Sequence, residues 1–301
     1  MKILITGGTN GMGKGVAKIL AGQGNPLNEV IILCRNQSLG QNTVKELQSA
    51  TLNTNISFVL CDLGRLADVK QVIEEIKSKH NYLDGIFINA GLGYAARHVE
   101  TENGLDAHFR VNYLSQFILV LNLLILLEQS TEGGRVIFNV IEHGKIFWED
   151  LQLKNNWSYK KALLQAMVAK RLFVQKLHQL YSGEKKPKIS FIGFEIPNTV
   201  WTNQITIIPS SMRIMATIMK WFGQFISMER CGEIIAPLFM DSKEESMRKS
   251  GKFITLKHGS FTEIKDDNRI VNQENIDRLW EVSLKLCADE KTQQIAEVLQ
   301  N

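Results

Sequence analysis

The chain has 301 residues, 44% apolar and 22% charged, with a formal net charge of +4. That is enough apolar material for one large core, and a basic excess too small and too scattered to mark a nucleic-acid binder. Cys34, Cys61, Cys231 and Cys287 are too widely spaced for a zinc-type pair, so they read as free thiols of a reducing compartment and no metal site is expected.

The predicted elements alternate from the start. Lys2–Thr6 is an apolar run ending in glycines, a strand, and Gly13–Gln23 has helical spacing. A strand beginning at Lys2 leaves no room for a cleavable signal segment, and a cytoplasmic location is expected. Glu29–Cys34 and Ile56–Cys61 are further strands, with helices over Gln41–Ser49 and Ala67–Lys79. Gly85–Asn89 is the fourth strand. Leu105–Leu127 is a long, bent helix, whose Leu114–Leu127 part is too short and too polar to span a bilayer. Arg135–Val140 is a strand, Ala162–Tyr181 a helix, and Lys188–Phe194 a strand.

Strand–helix alternation of this kind predicts parallel βαβ units in an α/β, Rossmann-type doubly wound sheet with helices on both faces. Val30-Ile31-Ile32-Leu33 is apolar on both faces, as a strand covered by helices must be. With no linker or repeat, residues 1–301 read as a single domain. Its C-terminal part changes character: Ile205–Ile226 is apolar and methionine-rich with helical spacing, a lid-like insertion over about 203–228. Glu229–Met240, Glu274–Leu286 and Glu290–Leu299 are helices, and Lys252–Thr255 is a short strand.

Thr6-Gly7-Gly8-Thr9-Asn10-Gly11-Met12-Gly13 lies between the first strand and helix and predicts an adenine-dinucleotide site. Gly7 permits a tight turn, Gly11 a close backbone approach to pyrophosphate, and Gly13 close packing of helix on strand. The helix N-terminus offers free N–H groups and partial positive charge. Arg35, beside Asn36 at the end of the second strand, stands where a carboxylate would bind a ribose 2′-OH. A guanidinium attracts a 2′-phosphate instead, so NADP(H) is expected over NAD(H), the plainer reading being an arginine that caps the strand. Asp62 and Leu63, ending the third strand, are placed for the adenine. Asn89-Ala90-Gly91 ends the fourth, beside ribose and nicotinamide.

Together with Asn112 and the segment Pro197-Asn198-Thr199-Val200-Trp201-Thr202, these motifs resemble the short-chain dehydrogenase/reductase family. Cys34-Arg35-Asn36, Gly144-Lys145-Ile146, Asp150-Leu151-Gln152, Ser250-Gly251-Lys252-Phe253 and Arg278-Leu279-Trp280 make the chain similar to its retinol-dehydrogenase-like branch. The resemblance implies cofactor contacts from Pro197, Thr199 and Thr202. It also implies an acid–base set of Ser, Tyr, Lys and Asn beside a hydride carrier. Of that set only Asn112 is retained. In Ala162-Leu163-Leu164-Gln165-Ala166-Met167-Val168-Ala169, Leu163 stands for Tyr and Met167 for Lys, and no Ser or Thr occurs between Arg135 and Trp157. A register using Tyr159 as the acid still lacks the lysine, since its i+4 residue is Leu163.

Three readings follow. The chain is a cofactor-binding pseudoenzyme or a partner subunit, forming a homodimer or a heterodimer with a related subunit through Leu163, Leu164, Met167, Leu172 and Leu177. Or it is an NADP-dependent oxidoreductase with a substitute acid, His143, Glu142, Tyr94 or Tyr159, or none. Or its apolar segment over 205–226, with Trp201, Trp221 and Phe222, serves an apolar small-molecule substrate or ligand, or a membrane surface.

Overall fold

The computed structural model describes residues 1–24, 26–183, 186, 188–200, 208–221 and 225–300. Trp201, Thr202, Phe222 and much of the expected lid lie outside the described residues.

The first half is a run of βα units: β1 Lys2–Thr6, α1 Gly11–Ala21, β2 Glu29–Cys34, α2 Gln37–Thr51, β3 Ile56–Leu60, α3 Leu66–Lys79 and β4 Gly85–Ile88. A short α4 (Ala107–Phe109), a π-turn over Arg110–Leu114 and α5 (Ser115–Glu128) form the bent helix, the bend being that π-turn. Then come β5 Gly134–Asn139, α6 Tyr159–Tyr181 and β6 Ile189–Glu195. The apolar stretch Ala107–Glu128 is 83% buried over its most apolar window and forms the centre of the core. It is apolar all round because sheet and helices enclose it.

The remaining elements are β7 Thr199–Val200, α7 Ser210–Trp221, β8 Phe225–Ile226, α8 Met228–Met240, α9 Lys243–Lys249, β9 Phe253–Lys257, β10 Ser260–Glu263, α10 Gln273–Leu286 and α11 Glu290–Gln300. Within the apolar 205–226 segment the described residues include α7, Ser210–Trp221, and Phe225–Ile226 pairs in parallel with Thr199–Val200. The short strand expected over Lys252–Thr255 is β9, while its hairpin partner β10 and α9 are not marked by the sequence spacing. The hairpin turns at His258-Gly259, both with positive φ, and its outer strand carries few apolar residues.

The main sheet runs β10-β9-β6-β5-β4-β1-β2-β3, parallel except for β10 against β9. Ile3 pairs with Val30 on one side and Gly85 on the other, so the strand order reverses about β1. In open sheets of this kind a ligand crevice falls at such a reversal, here the carboxyl ends of β1 and β4. One face is covered by α3, α5, α6, α10 and α11 around Phe117, Phe138, Phe173 and Trp280; the other by α1, α2 and α8. There α1 and α8 meet backbone to backbone at Gly15 and Gly232, where a Cβ on either would overlap the other helix. The four cysteines are buried free thiols.

Candidate nucleotide site and the neighbouring helix

The glycine turn sits at the reversal point. Gly7 has φ +71° and its N–H donates to the Leu33 carbonyl at 2.9 Å, so the chain leaves β1 in a conformation that favours glycine. A Cβ at Gly7 would come within 2.9 Å of the Ala90 Cα, and one at Gly13 would collide with the Gly7 carbonyl oxygen. The turn therefore packs tightly on β4 and on itself, a backbone cradle that only glycines permit. Asn10 caps α1 by accepting from the Gly11 N–H at 2.8 Å. No acid occupies the first turn of α1, which leaves that N-terminus receptive to an anion.

Thr6 is wholly buried and acts as a tie. Its hydroxyl donates to the Phe87 carbonyl (3.1 Å) and accepts from the N–H groups of Asn89 (2.9 Å) and Ala90 (3.0 Å). The Asn89 amide donates back to the Thr6 carbonyl at 3.1 Å. Thr6 and Asn89, expected as cofactor contacts, thus fix the turn to the end of β4. Met12 and Leu63 are buried too, so only their backbones can face a ligand. Arg35 is exposed, directly after β2, and Thr9 is half-buried. Asn36 is engaged in capping α2, accepting from the Leu39 N–H at 2.9 Å. The Asp62 carboxylate accepts from the Gly64 N–H at 2.8 Å and shapes the turn after β3.

The Gly91–Gly93 loop is held from the π-turn. Asn112 clamps Leu92 at two points, accepting from its N–H (2.6 Å) and donating to its carbonyl (3.0 Å). Gln116 donates to the Ala90 carbonyl at 2.6 Å. The extra residue in the π-turn sets the register of both amides. Asn112 is fully buried, so here it works by positioning the loop.

On α6, Leu163 is half-buried and Met167 is 5% exposed, and neither can transfer a proton. One turn beyond Met167 lies a residue the sequence reading overlooked. Lys170 is 1% exposed, and its Nζ donates to the Asn139 carbonyl, at the end of β5, at 3.3 Å. Burial without a carboxylate partner pushes its pKa down to about 7. The next residue, Arg171, donates to the Glu142 carbonyl and pairs with Asp266. Glu195, at the end of β6, accepts from the Glu142 N–H at 2.9 Å, and burial raises its pKa. The loop that would carry the missing serine is thus stapled by charged groups from β6 and α6. The available signal was Lys170-Arg171, a charged pair within the otherwise apolar run from Ala166 to Val174.

The candidate acids separate. Tyr94, in the loop after β4, and Tyr159, first residue of α6, meet ring to ring at 5.1 Å in a T-shaped pair. Tyr159 lies one helical turn before Leu163, on the same face. His143 and Glu142 are exposed in the loop after β5. Pro197 is exposed, and Thr199 lies in β7. Of the helix positions offered for subunit contact, Met167, Leu172 and Leu177 are buried within the chain's own core and are unavailable to a partner. Only Leu163 and Leu164 remain partly accessible. Among the described residues no cluster of His, Cys, Asp and Glu forms a metal site.

Fold and crevice define a dinucleotide-binding α/β protein. Residues 1–149 match the family model for short chain dehydrogenase. The chain belongs to the short-chain dehydrogenase/reductase family and is retinol-dehydrogenase-like. It is 32% identical to polyprenol dehydrogenase of Homo sapiens over 187 residues, 60% of this chain and 56% of that protein. It thus matches little more than half the length of that relative. Over 94% of the chain it is 26% identical to retinol dehydrogenase 12 of Mus musculus, 85% of which is covered. Among solved structures, the RhlG/NADP complex of Pseudomonas aeruginosa superposes with a TM-score of 0.63 at 19% identity, covering 86% of this chain and 95% of that one, a likeness of fold.

Proposed function

We propose that this chain binds NADP(H) in the crevice between β1 and β4 and lacks the standard acid–base machinery of its family. The observation that carries the reading is the cradle at Gly7 and Gly13 beside the open N-terminus of α1. Arg35, exposed at the end of β2, supports a preference for the 2′-phosphate. When bound, the nicotinamide supplies or takes a hydride. The chain's own residues would bind the pyrophosphate through backbone N–H groups, hold the loop after β4 through Asn112, and exclude water with Leu163 and Met167. Family membership makes oxidoreductase the class. The acid-free site favours a cofactor-binding pseudoenzyme or partner subunit within it, located in the cytoplasm.

A second reading rests on the Tyr94–Tyr159 contact. It gives an oxidoreductase whose substitute acid is a phenol one turn earlier on α6, acting on an apolar alcohol or carbonyl. The names of the relatives, polyprenol and retinol dehydrogenases, support that substrate class.

Calorimetric titration with NADPH and NADH tests the first reading. NADPH is expected to bind more tightly. A Gly13→Val variant, checked for folding by circular dichroism, is expected to lose roughly 100-fold in affinity, the equivalent of about 2.7 kcal/mol. Absence of binding by the wild type would overturn the proposal. Incubation with apolar aldehydes then separates the readings: turnover abolished by Tyr159→Phe selects the second.

A further inference from the structure

We propose that His98 and Asp106 form a proton-relay pair serving the Tyr94–Tyr159 contact, an inference that rests on the second reading of function above. A tight hairpin brings the two residues together. The chain turns at Gly104, with φ +70°, Glu100 bridges to Asp106, and the Ala107 N–H donates to the Val99 carbonyl at 2.9 Å. His98 Nε2 consequently lies 3.2 Å from Asp106 Oδ2. Asp106 is fully buried, whereas the His98 side chain is 23% exposed. The ring N–H is not aligned on that oxygen, and a small turn of the partly open imidazole brings it there.

The carboxylate is held from several sides. Oδ1 caps α4 by accepting from the Phe109 N–H at 2.9 Å, and Oδ2 accepts from the Trp157 indole N–H at 3.2 Å. The Asp106 N–H donates to Gln152 Oε1 at 2.7 Å. Both oxygens thus have a partner without His98, so the cap itself needs no imidazole. A carboxylate at Nε2 keeps the proton on that nitrogen and leaves Nδ1, which has no partner among the described residues, to take up and give a proton. Around the pair stand His108, whose ring also lies against Trp157 at 6.2 Å, and Glu100, which faces Lys154 at 4.0 Å.

Position assigns the use. His98 follows Tyr94 in the loop after β4, and Trp157 precedes Tyr159 at the start of α6. These two segments touch at Tyr94 on Tyr159 and again at Trp157, whose ring lies 6.0 Å from the imidazole. When the carbonyl carbon takes a hydride from a reduced nicotinamide, its oxygen takes the Tyr159 proton and leaves a phenolate. The His98 imidazolium returns that proton through water, and the neutral ring takes another from bulk solvent. Alcohol oxidation runs the same transfers in reverse.

The test combines kinetics on apolar aldehydes with NMR of the full chain carrying ¹⁵N-labelled histidine. His98→Ala is expected to lower kcat about 100-fold with KM little changed, and added imidazole to restore part of the loss. Asp106→Asn, which keeps an acceptor for the Phe109 N–H, is expected to lower kcat about tenfold. In the free wild type the His98 signals are expected to report a proton on Nε2, and Asp106→Asn to mix the two tautomers. Circular dichroism and thermal melting confirm folding of each variant. Turnover that Tyr159→Phe abolishes and His98→Ala leaves intact would overturn the relay while the oxidoreductase reading stands. So would a His98 proton on Nδ1 in the free protein, or a loss in His98→Ala that imidazole does not rescue, which assigns the ring a structural role. A wild type that turns over no aldehyde would overturn that reading, and the relay with it.

Discussion

Two ends of one sheet edge have fared differently. At β1 and β4 the glycine turn, Thr6, Asn89 and Asn112 form a connected frame with its cradle intact. At β5 and α6 we read Leu163 and Met167 at the positions that carry acid–base chemistry in the family, and the adjoining loop is tied down by Glu195 and Arg171. The first function resides in backbone geometry, which needs glycines and a helix end. The second resides in side-chain chemistry, which a single substitution removes without disturbing the fold. Binding and catalysis are therefore separable in this architecture.

The largest effect tests whether the contrast is chemical. Leu163→Tyr/Met167→Lys restores an i, i+4 acid and ammonium, and carbonyl reduction measured by NADPH consumption is expected to rise about 10²- to 10⁴-fold. A wild type already as fast as the double variant would break the comparison.

Lys170 offers the next. Its pKa of about 7 when folded lies below the ordinary 10.5, so the unfolded chain binds more protons between those values. Stability should therefore rise with pH from about 7 towards 10.5, and the penalty is complete below 7. Lys170→Met should be more stable by about 4 kcal/mol near neutrality, in line with about 1.4 kcal/mol per pH unit between about 7 and the ordinary value. That gain should shrink as the pH approaches 10. Urea melts at three pH values read this directly, and a constant difference would count against a strained α6.

The smallest effect sharpens the intact end. Arg35→Asp should reverse the nucleotide preference by about tenfold, through repulsion of the 2′-phosphate and a new acceptor for the ribose hydroxyl. Parallel NADPH and NADH titrations check it. No change in the ratio would leave Arg35 a surface residue.

Much of this was legible from the residues. The run Thr6–Gly13 between an apolar strand and a helix placed the nucleotide turn, because its glycines answer to local backbone demands. The alternation of β1 to β6 gave the doubly wound sheet, while the reading of Leu163 and Met167 in place of Tyr and Lys rests on the Ala162–Ala169 register alone. Boundaries were less secure where capping decides them: Asn10 and Asn36 start α1 and α2 earlier than the apolar spacing suggested.

Other matters needed the fold. Tyr94 and Tyr159 lie far apart in sequence and meet only because α6 starts at the edge where β4 ends. Met167, Leu172 and Leu177 looked equally suited to a core or to a subunit contact, and only packing assigned them inward. Lys170 reads as a solvated lysine until the sheet covers it. The apolar residues of α7 suit a core or a lid equally in sequence, and only the fold shows Ile214 and Ile218 exposed. Local sequence fixes turns, periodicity and the chemistry a residue can perform. Burial and proximity between distant segments belong to the three-dimensional arrangement, and at α6 and α7 it was burial that separated a buried amine from a surface one, and a core stripe from an exposed apolar face.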